Sequence, residues 1–220
     1  FIELSILING ATIYQNREFN KIDNQSSSDW IKKEINELKN IDNLEVKTRT
    51  SVAAYHGYNY LLARENLTDH LEKKDKNNKV RQRLLKIRAK KVILATGALE
   101  RPLVFNNNDR PGIILSTAVK KYADFFGVKC GEKNVFFTNN DSAYESALCL
   151  HNKGIKVDAI VDIRDNSNSK IVKAVEQAGI KIYWSHTVVD TNGYRRLSNI
   201  SIMRLSNDGM TVIGKRINIS

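Results

Sequence analysis

Residues Val92 to Pro102 read VILATGALERP, a short apolar run that follows the charged pair Lys90–Lys91 and ends abruptly at Thr96–Gly97. An apolar run of this length predicts a parallel strand buried on both faces. A glycine at its carboxyl end lets backbone pass close to a ligand. In open α/β sheets, ligands bind outside the carboxyl ends of the strands. A chain built around such a segment has to supply neighbouring strands, and helices to cover them.

Periodicity supplies candidates for both. Residues 28–39 predict a helix, with Ser28 as its cap, Asp29 in the first turn and Ile31, Ile35 and Leu38 on one face. Residues 44–52 alternate as a strand, and 55–67 and 80–89 predict two more around a polar loop. Residues 113–126 predict a helix with Ala118, Tyr122 and Phe125 aligned, ended by Gly127 to Gly131. From 134 to 162 the pattern is a βαβ unit: a buried strand at Val135–Phe137, a helix from Ser142 to Asn152, and a second parallel strand from Val157 to Ile163. A helix over 169–178 and a strand over 180–184 follow. Asn192–Gly193 and Asn207–Gly209 mark turns between later strands.

The order helix, strand, then antiparallel strands occurs twice, starting near residues 29 and 169. The repeat predicts an α/β fold of two adjacent dinucleotide-binding-type, Rossmann-like units with antiparallel inserts. Residues 1–111 are expected to form the C-terminal part of a first domain, 112–131 a junction helix and linker, and 132–220 a second domain. The first unit lacks a preceding βαβ unit and the second a closing strand, so the expectation is an internal piece of a longer protein.

The formal charge is +11 and the pI near 9.6. The segment from His70 to Lys91 concentrates lysine and arginine without Phe, Tyr or Trp for base stacking, which fits solvated antiparallel strands rather than a nucleic-acid surface. The many Asn, Ile and Lys residues are the bias of an AT-rich coding sequence. No segment approaches the roughly 20 apolar residues of a membrane helix. Cys130 and Cys149 make no CxxC or zinc spacing, which excludes dithiol chemistry within these residues. Their scarcity agrees with a cytoplasmic setting. His56, His70, His151 and His186 show no metal spacing, and no nucleophile elbow or P-loop occurs.

The chemistry therefore rests on two turns. Thr96 and Gly97, with Ala95 before them and Val52 at the end of the 44–52 strand, are the candidate cofactor contacts. The other turn follows the strand at Val135–Phe137. A dinucleotide fingerprint needs G-x-G-x-x-G or A there, and Thr138, Asn140 and Ala143 stand in its place. Asn140 puts a side chain where pyrophosphate needs bare backbone, and Asp141 adds negative charge and can cap the helix. Asp162, at the position of a ribose-binding acid, then reads as a solvated strand end. This turn is expected not to grip pyrophosphate.

The segments KVILATGALERPLVFNNNDRPGI (Lys91–Ile113) and VFFTNNDSAYESALCLHNKGI (Val135–Ile155) together resemble the α subunit of bacterial heterotetrameric sarcosine oxidase. The matching features are ATGA-x-ERP, the NDRPG turn, and TNNDSAY in place of a second glycine motif. The resemblance implies a subunit that holds NAD and works with β, γ and δ subunits. It implies FAD, FMN and zinc in the whole assembly and a C-terminal domain, outside this chain, that binds tetrahydrofolate. Sarcosine is oxidised to glycine on the flavin-bearing β subunit, with hydrogen peroxide formed from oxygen, so no catalytic residue is expected here. The α subunits of related proline or opine dehydrogenases, a stand-alone FAD/NAD(P) reductase, and a non-catalytic scaffold are the alternatives.

Overall fold

Ser26, not Ser28, opens the first helix in a computed structural model of the chain, which describes residues 21–75, 79–96 and 100–220. Its hydroxyl oxygen accepts the Asp29 backbone N–H at 3.2 Å, satisfying one of the donors a helix start leaves open. Ahead of it, β1 (Lys21–Ile22) and β2 (Gln25–Ser26) form a short hairpin. Asp23 and Asn24 turn it with φ of 49° and 61°, the left-handed geometry that Asn and Asp tolerate. Helix α1 spans Ser27–Lys39.

The predicted strand 44–52 is not continuous. Arg49 takes a φ of 53°, which breaks the extended run; residues 44–47 carry no strand pairing, and β3 is Thr50–His56. It pairs with β4 (Tyr60–Asn66), which pairs with β5 (Gln82–Arg88), all antiparallel. Leu61 and Ala63 face inward and are buried. These two strands fall within the predicted runs.

The ATG segment differs from its expectation. Residues 91–96 have no strand hydrogen bonds, and Ile93 and Leu94 are 86% and 67% exposed. A parallel strand exists only through its neighbours, and no described strand pairs with this one. Gly97 lies outside the described residues.

The chain divides into two compact units, Phe1–Ala98 and Leu99–Ser220; residues 112–131, expected as the junction, fall inside the second. Helix α2 is Ser116–Phe125. Its buried face is not the aligned Ala118, Tyr122 and Phe125. Instead Ala123 and the stem of Lys120 are buried, with Val119 packed beside them, while Tyr122 and Phe125 stay exposed. The apolar spacing alone did not register that a lysine can bury its methylenes.

The βαβ unit appears as read. Strand β6 (Lys133–Thr138), helix α3 (Ser142–Asn152) and strand β7 (Lys156–Asp162) are followed by α4 (Lys170–Gln177) and β8 (Lys181–Tyr183). The three strands form a parallel sheet in the order β6-β7-β8. Tyr144, Ala147 and Leu150 of α3, Val172 and Val175 of α4, and Ile160 of β7 form its core. Strands β9 (His186–Asn192), β10 (Asn199–Leu205) and β11 (Val212–Ile219) make an antiparallel sheet. Val188, Ile200 and Ile202 from it pack with Val161 in a second cluster. The result is a mixed α/β fold with parallel and antiparallel sheets.

Glu100 explains why α2 starts where it does. Leu115 precedes the helix and offers no side-chain cap. One Glu100 oxygen accepts from the Ser116 N–H and hydroxyl at 3.0 and 2.8 Å, and the other from the Thr117 N–H and hydroxyl at 2.8 and 2.5 Å. Burial alone would raise the Glu100 pKa, but these donors outweigh it and hold it below the ordinary 4.5. A glutamate with a depressed folded pKa stabilises the fold above its unfolded pKa and loses that contribution as pH falls through the folded value. Glu100→Ala should therefore cost about 1–2 kcal/mol at neutral pH, by analogy with lost caps. In urea unfolding followed by circular dichroism, the gap between wild type and variant should close as pH drops below 4.5; an unchanging gap would refute the carboxylate cap.

Candidate functional site

Each unit contains, among the described residues, a place to weigh as a ligand site. In the first, residues 44–51 pass beside the end of α1 and enclose a cleft of about 970 Å³, also lined by Ile35, Lys39 and Asn66. Its wall carries the Glu45–Lys47 ion pair, the hydroxyls of Thr48 and Ser51, and two further cations, Lys39 and Arg49. Neither cation is paired with a carboxylate among the described residues. The size falls within the range of cofactor clefts, roughly 300–1,000 Å³.

Val52 follows directly on this wall. It lies within β3 opposite Ala63, at an irregularity in the register, and is 37% exposed. It is thus inside an antiparallel strand rather than at the end of one. Ala95 and Thr96 are exposed on the extended segment after β5, and Gly97 is outside the described residues.

The second place is the β6–α3 turn, and here the expected closure takes a different chemical form. Asn140, not Asp141, caps α3: its Oδ1 accepts from the Ser142 N–H at 3.0 Å and the Ser142 hydroxyl at 2.6 Å. Asp141 makes no cap hydrogen bond. Thr138 folds the turn by accepting the Asn140 N–H at 3.1 Å and donating to the Asn140 carbonyl at 2.9 Å. The donors that a phosphate would use at a helix start are therefore partly consumed by the chain.

Asp162 is not a solvated strand end. It is 0% exposed and sits in a ring of donors: Tyr144 hydroxyl at 2.8 Å, Arg164 backbone N–H at 2.9 Å, and the Arg164 guanidinium at 2.7 Å and 3.1 Å. The same guanidinium reaches Asp141 at 2.8 Å. Ser167 donates to that Asp141 oxygen at 3.3 Å. Arg164 also lies over the Tyr144 ring, which stacks on Trp184.

The charges lock one another. The Asp162 carboxylate, followed by Asp141, raises the Arg164 pKa further despite some desolvation. Burial first, then the Asp162 carboxylate, pushes the Tyr144 phenol up. Burial would raise Asp141, but hydrogen bonds from Ser169 and Arg164 hold it below the ordinary 3.8. All three stay in one protonation state across the physiological range, so the arrangement holds geometry and moves no proton. Cys149 is equally inert: burial and the nearby Asp124 carboxylate push its thiol up to about 11.

Arg164 and Tyr144 were absent from the sequence reading. The signal was available in D-x-R across the end of β7, because an arginine two residues after a buried acid is placed to return to it. Arg110 was also missed. From the NDRPG turn it donates to the Gly193 and Thr191 carbonyls, and the Leu197 N–H donates to the Pro111 carbonyl at 2.8 Å. That turn is thus tied to the loop joining β9 and β10.

No family model matches the chain. It is 38% identical over 190 residues to sarcosine oxidase subunit alpha of Corynebacterium sp. strain P-1, covering 86% of this chain and 19% of that protein. It is 38% identical over 143 residues to the subunit of the same name from Rhizobium meliloti strain 1021, covering 65% of this chain and 14% of that one. The chain thus spans less than a fifth of these relatives' length. Among solved structures it is similar to T. acidophilum thioredoxin reductase, with a TM-score of 0.58 and 15% identity, over 97% of this chain and 64% of that one. This likeness shows the fold alone. No helix of the described residues is long and apolar enough to cross a membrane.

Tyr144→Phe tests the ring around Asp162. The variant keeps the packing and removes one donor from a fully buried carboxylate, which should cost about 1–3 kcal/mol. The urea midpoint should fall with an unchanged slope. A midpoint equal to wild type would mean that Arg164 alone satisfies Asp162.

Proposed function

We propose, from the chain's kinship with sarcosine oxidase subunit alpha over 190 of its residues, that it is part of the α subunit of a heterotetrameric sarcosine oxidase. In this reading the assembly oxidises sarcosine to glycine, forms hydrogen peroxide from oxygen, and passes the one-carbon unit to tetrahydrofolate. The β subunit carries the flavin chemistry, FAD and FMN belong to the assembled complex, γ and δ complete it, and tetrahydrofolate is bound by a domain outside these residues. This stretch supplies NAD binding and part of the subunit scaffold, and no residue in it is a catalytic residue.

The observation that carries the placement of NAD is the difference between the units. The first has a cleft lined by Thr48 and Ser51, by the Glu45–Lys47 ion pair, and by Lys39 and Arg49, which pair with no carboxylate among the described residues, immediately before Val52. The second has spent the corresponding groups on itself, through Asn140 on the helix start and Arg164 on Asp141 and Asp162. A nicotinamide cofactor supplies hydride-transfer chemistry when bound. The chain's part is to orient it: Lys39 and Arg49 for its phosphates, Thr48 and Ser51 for polar contacts, and Val52, Ala95, Thr96 and Gly97 for close backbone approach. The absence of a CxxC pair among these residues separates the chain from disulfide-linked reductases of similar fold.

The test uses the full-length α subunit assembled with its partners. Gly97→Val should lower NAD content, measured after denaturing release, while flavin content stays at the wild-type level, because a side chain there would crowd the cofactor. Replacing Thr138 and Asn140 by Gly and Asp141 by Ala should leave NAD content unchanged. Equal NAD in wild type and Gly97→Val would remove the ATG segment from the site. Loss of NAD in the triple variant would move the site to the second unit.

A further inference from the structure

Two donors converge on one carboxylate oxygen at the second turn. The Arg164 Nη2 reaches Asp141 Oδ1 at 2.8 Å and the Ser167 hydroxyl reaches the same oxygen at 3.3 Å, while the Ser169 backbone N–H donates to the Ser167 hydroxyl at 3.5 Å. All three belong to the loop between β7 and α4, RDNSNS from Arg164 to Ser169. A guanidinium nitrogen and a hydroxyl meeting on a single anion are donors of the kind that recognise a phosphate monoester. In dinucleotide folds, an arginine near the end of the second strand is the group that meets a nucleotide's 2′-phosphate. Here that arginine is already filled, and the group filling it comes from the turn in which pyrophosphate would lie.

We propose that Arg164 and Ser167 form an anion cradle for a phosphate monoester, and that Asp141 is its built-in occupant. Asp162 takes Nε and Nη2 of the guanidinium inside the fold, and the same Nη2 also reaches Asp141. Arg164 and Asp141 remain partly exposed, with side chains 28% and 35% accessible, so the pair sits where a solute can compete for it. The carboxylate repels an incoming phosphate and already uses the donors that would bind it. The intact chain therefore rejects phosphorylated nucleotides at this turn by supplying its own anion. This inference rests on the reading of the second unit as one whose nucleotide grip is spent internally.

The experiment uses the full-length assembled protein and titrates it by calorimetry with 2′-AMP, inorganic phosphate and adenosine. Wild type should bind none of them at this turn. Asp141→Ala should bind 2′-AMP at least roughly tenfold more tightly than the wild-type detection limit, because the freed guanidinium nitrogen offers a charge-assisted bond. Inorganic phosphate should bind the variant too if the phosphate alone is recognised, whereas binding of 2′-AMP only would mean the nucleoside contributes. Adenosine should not bind. Binding should weaken with added salt and vanish in the double variant Asp141→Ala, Arg164→Ala. Asp141→Asn keeps the shape and the hydroxyl contact while removing the charge, and should show a smaller gain; it serves if the alanine variant unfolds. No gain in a folded Asp141 variant, or a gain that survives loss of Arg164, would overturn the cradle. NAD content measured in the same samples separates the two ideas. Unchanged NAD with no gain overturns the cradle alone, whereas NAD lost in the Asp141 variants overturns the assignment of NAD to the first unit.

Discussion

A carboxylate with no access to water sets the plan of the second unit. Asp162 is completely buried at the end of β7, and an ionised group in that position is tolerated only when fully paired. Its partners come from three directions. Tyr144 reaches it from α3, the Arg164 backbone turns back on it as the chain leaves the strand, and the Arg164 guanidinium closes over it. Each partner then ties in another element. Tyr144 stacks on Trp184 beyond β8, and Arg164 reaches through Asp141 to the turn after β6. The register of helix α3 over the sheet, the path of the loop before α4 and the closed second turn all follow from satisfying one buried acid.

The two units show what happens to the same order of elements under different packing. In the second, the βαβ crossover places helices against a parallel sheet, and the apolar residues of α3, α4 and β7 disappear from solvent together. In the first, the described apolar residues have fewer partners. Leu61 and Ala63 are covered, yet Ile93, Leu94 and Val80 are open. Burial is cooperative: an apolar strand gains its roughly 25 cal/mol per Å² only when neighbours remove it from water, and its backbone also needs a ladder to join.

This sets how far the sequence could be read. The βαβ unit was legible because its signals agree at every level: the apolar runs of β6 and β7, the glycine after α3 and the crossover length. The strands around the basic loop were legible from alternation. The helix at 116–125 was legible in place but not in orientation, because its buried face includes the stem of Lys120 and leaves out two aromatics. The break at Arg49 was not legible, since a left-handed arginine carries no compositional mark. At the candidate sites, the loss of the glycine grip could be read from Asn140. The ring around Asp162 could not, because Tyr144 and Arg164 are brought together by tertiary packing. Glu100 was likewise noticed only as context, since a cap lent from sixteen residues upstream leaves no local pattern.

The NDRPG turn has a consequence for the order in which the chain can mature. Arg110, Pro111 and Asn107 find their partners at Thr191, Gly193 and Leu197, more than eighty residues later. A ribosome delivers about 5–20 residues per second, so this turn emerges seconds before anything exists for it to dock on. Residues 103–112 then remain a tethered loop while β6, α3 and β7 assemble from nearer contacts, as loop-closure entropy favours. The arginine acts last, clasping the loop only once the β9–β10 connection has formed. A polypeptide stopped before Asp190 would carry the three strands of the parallel sheet and none of the partners that fasten this turn.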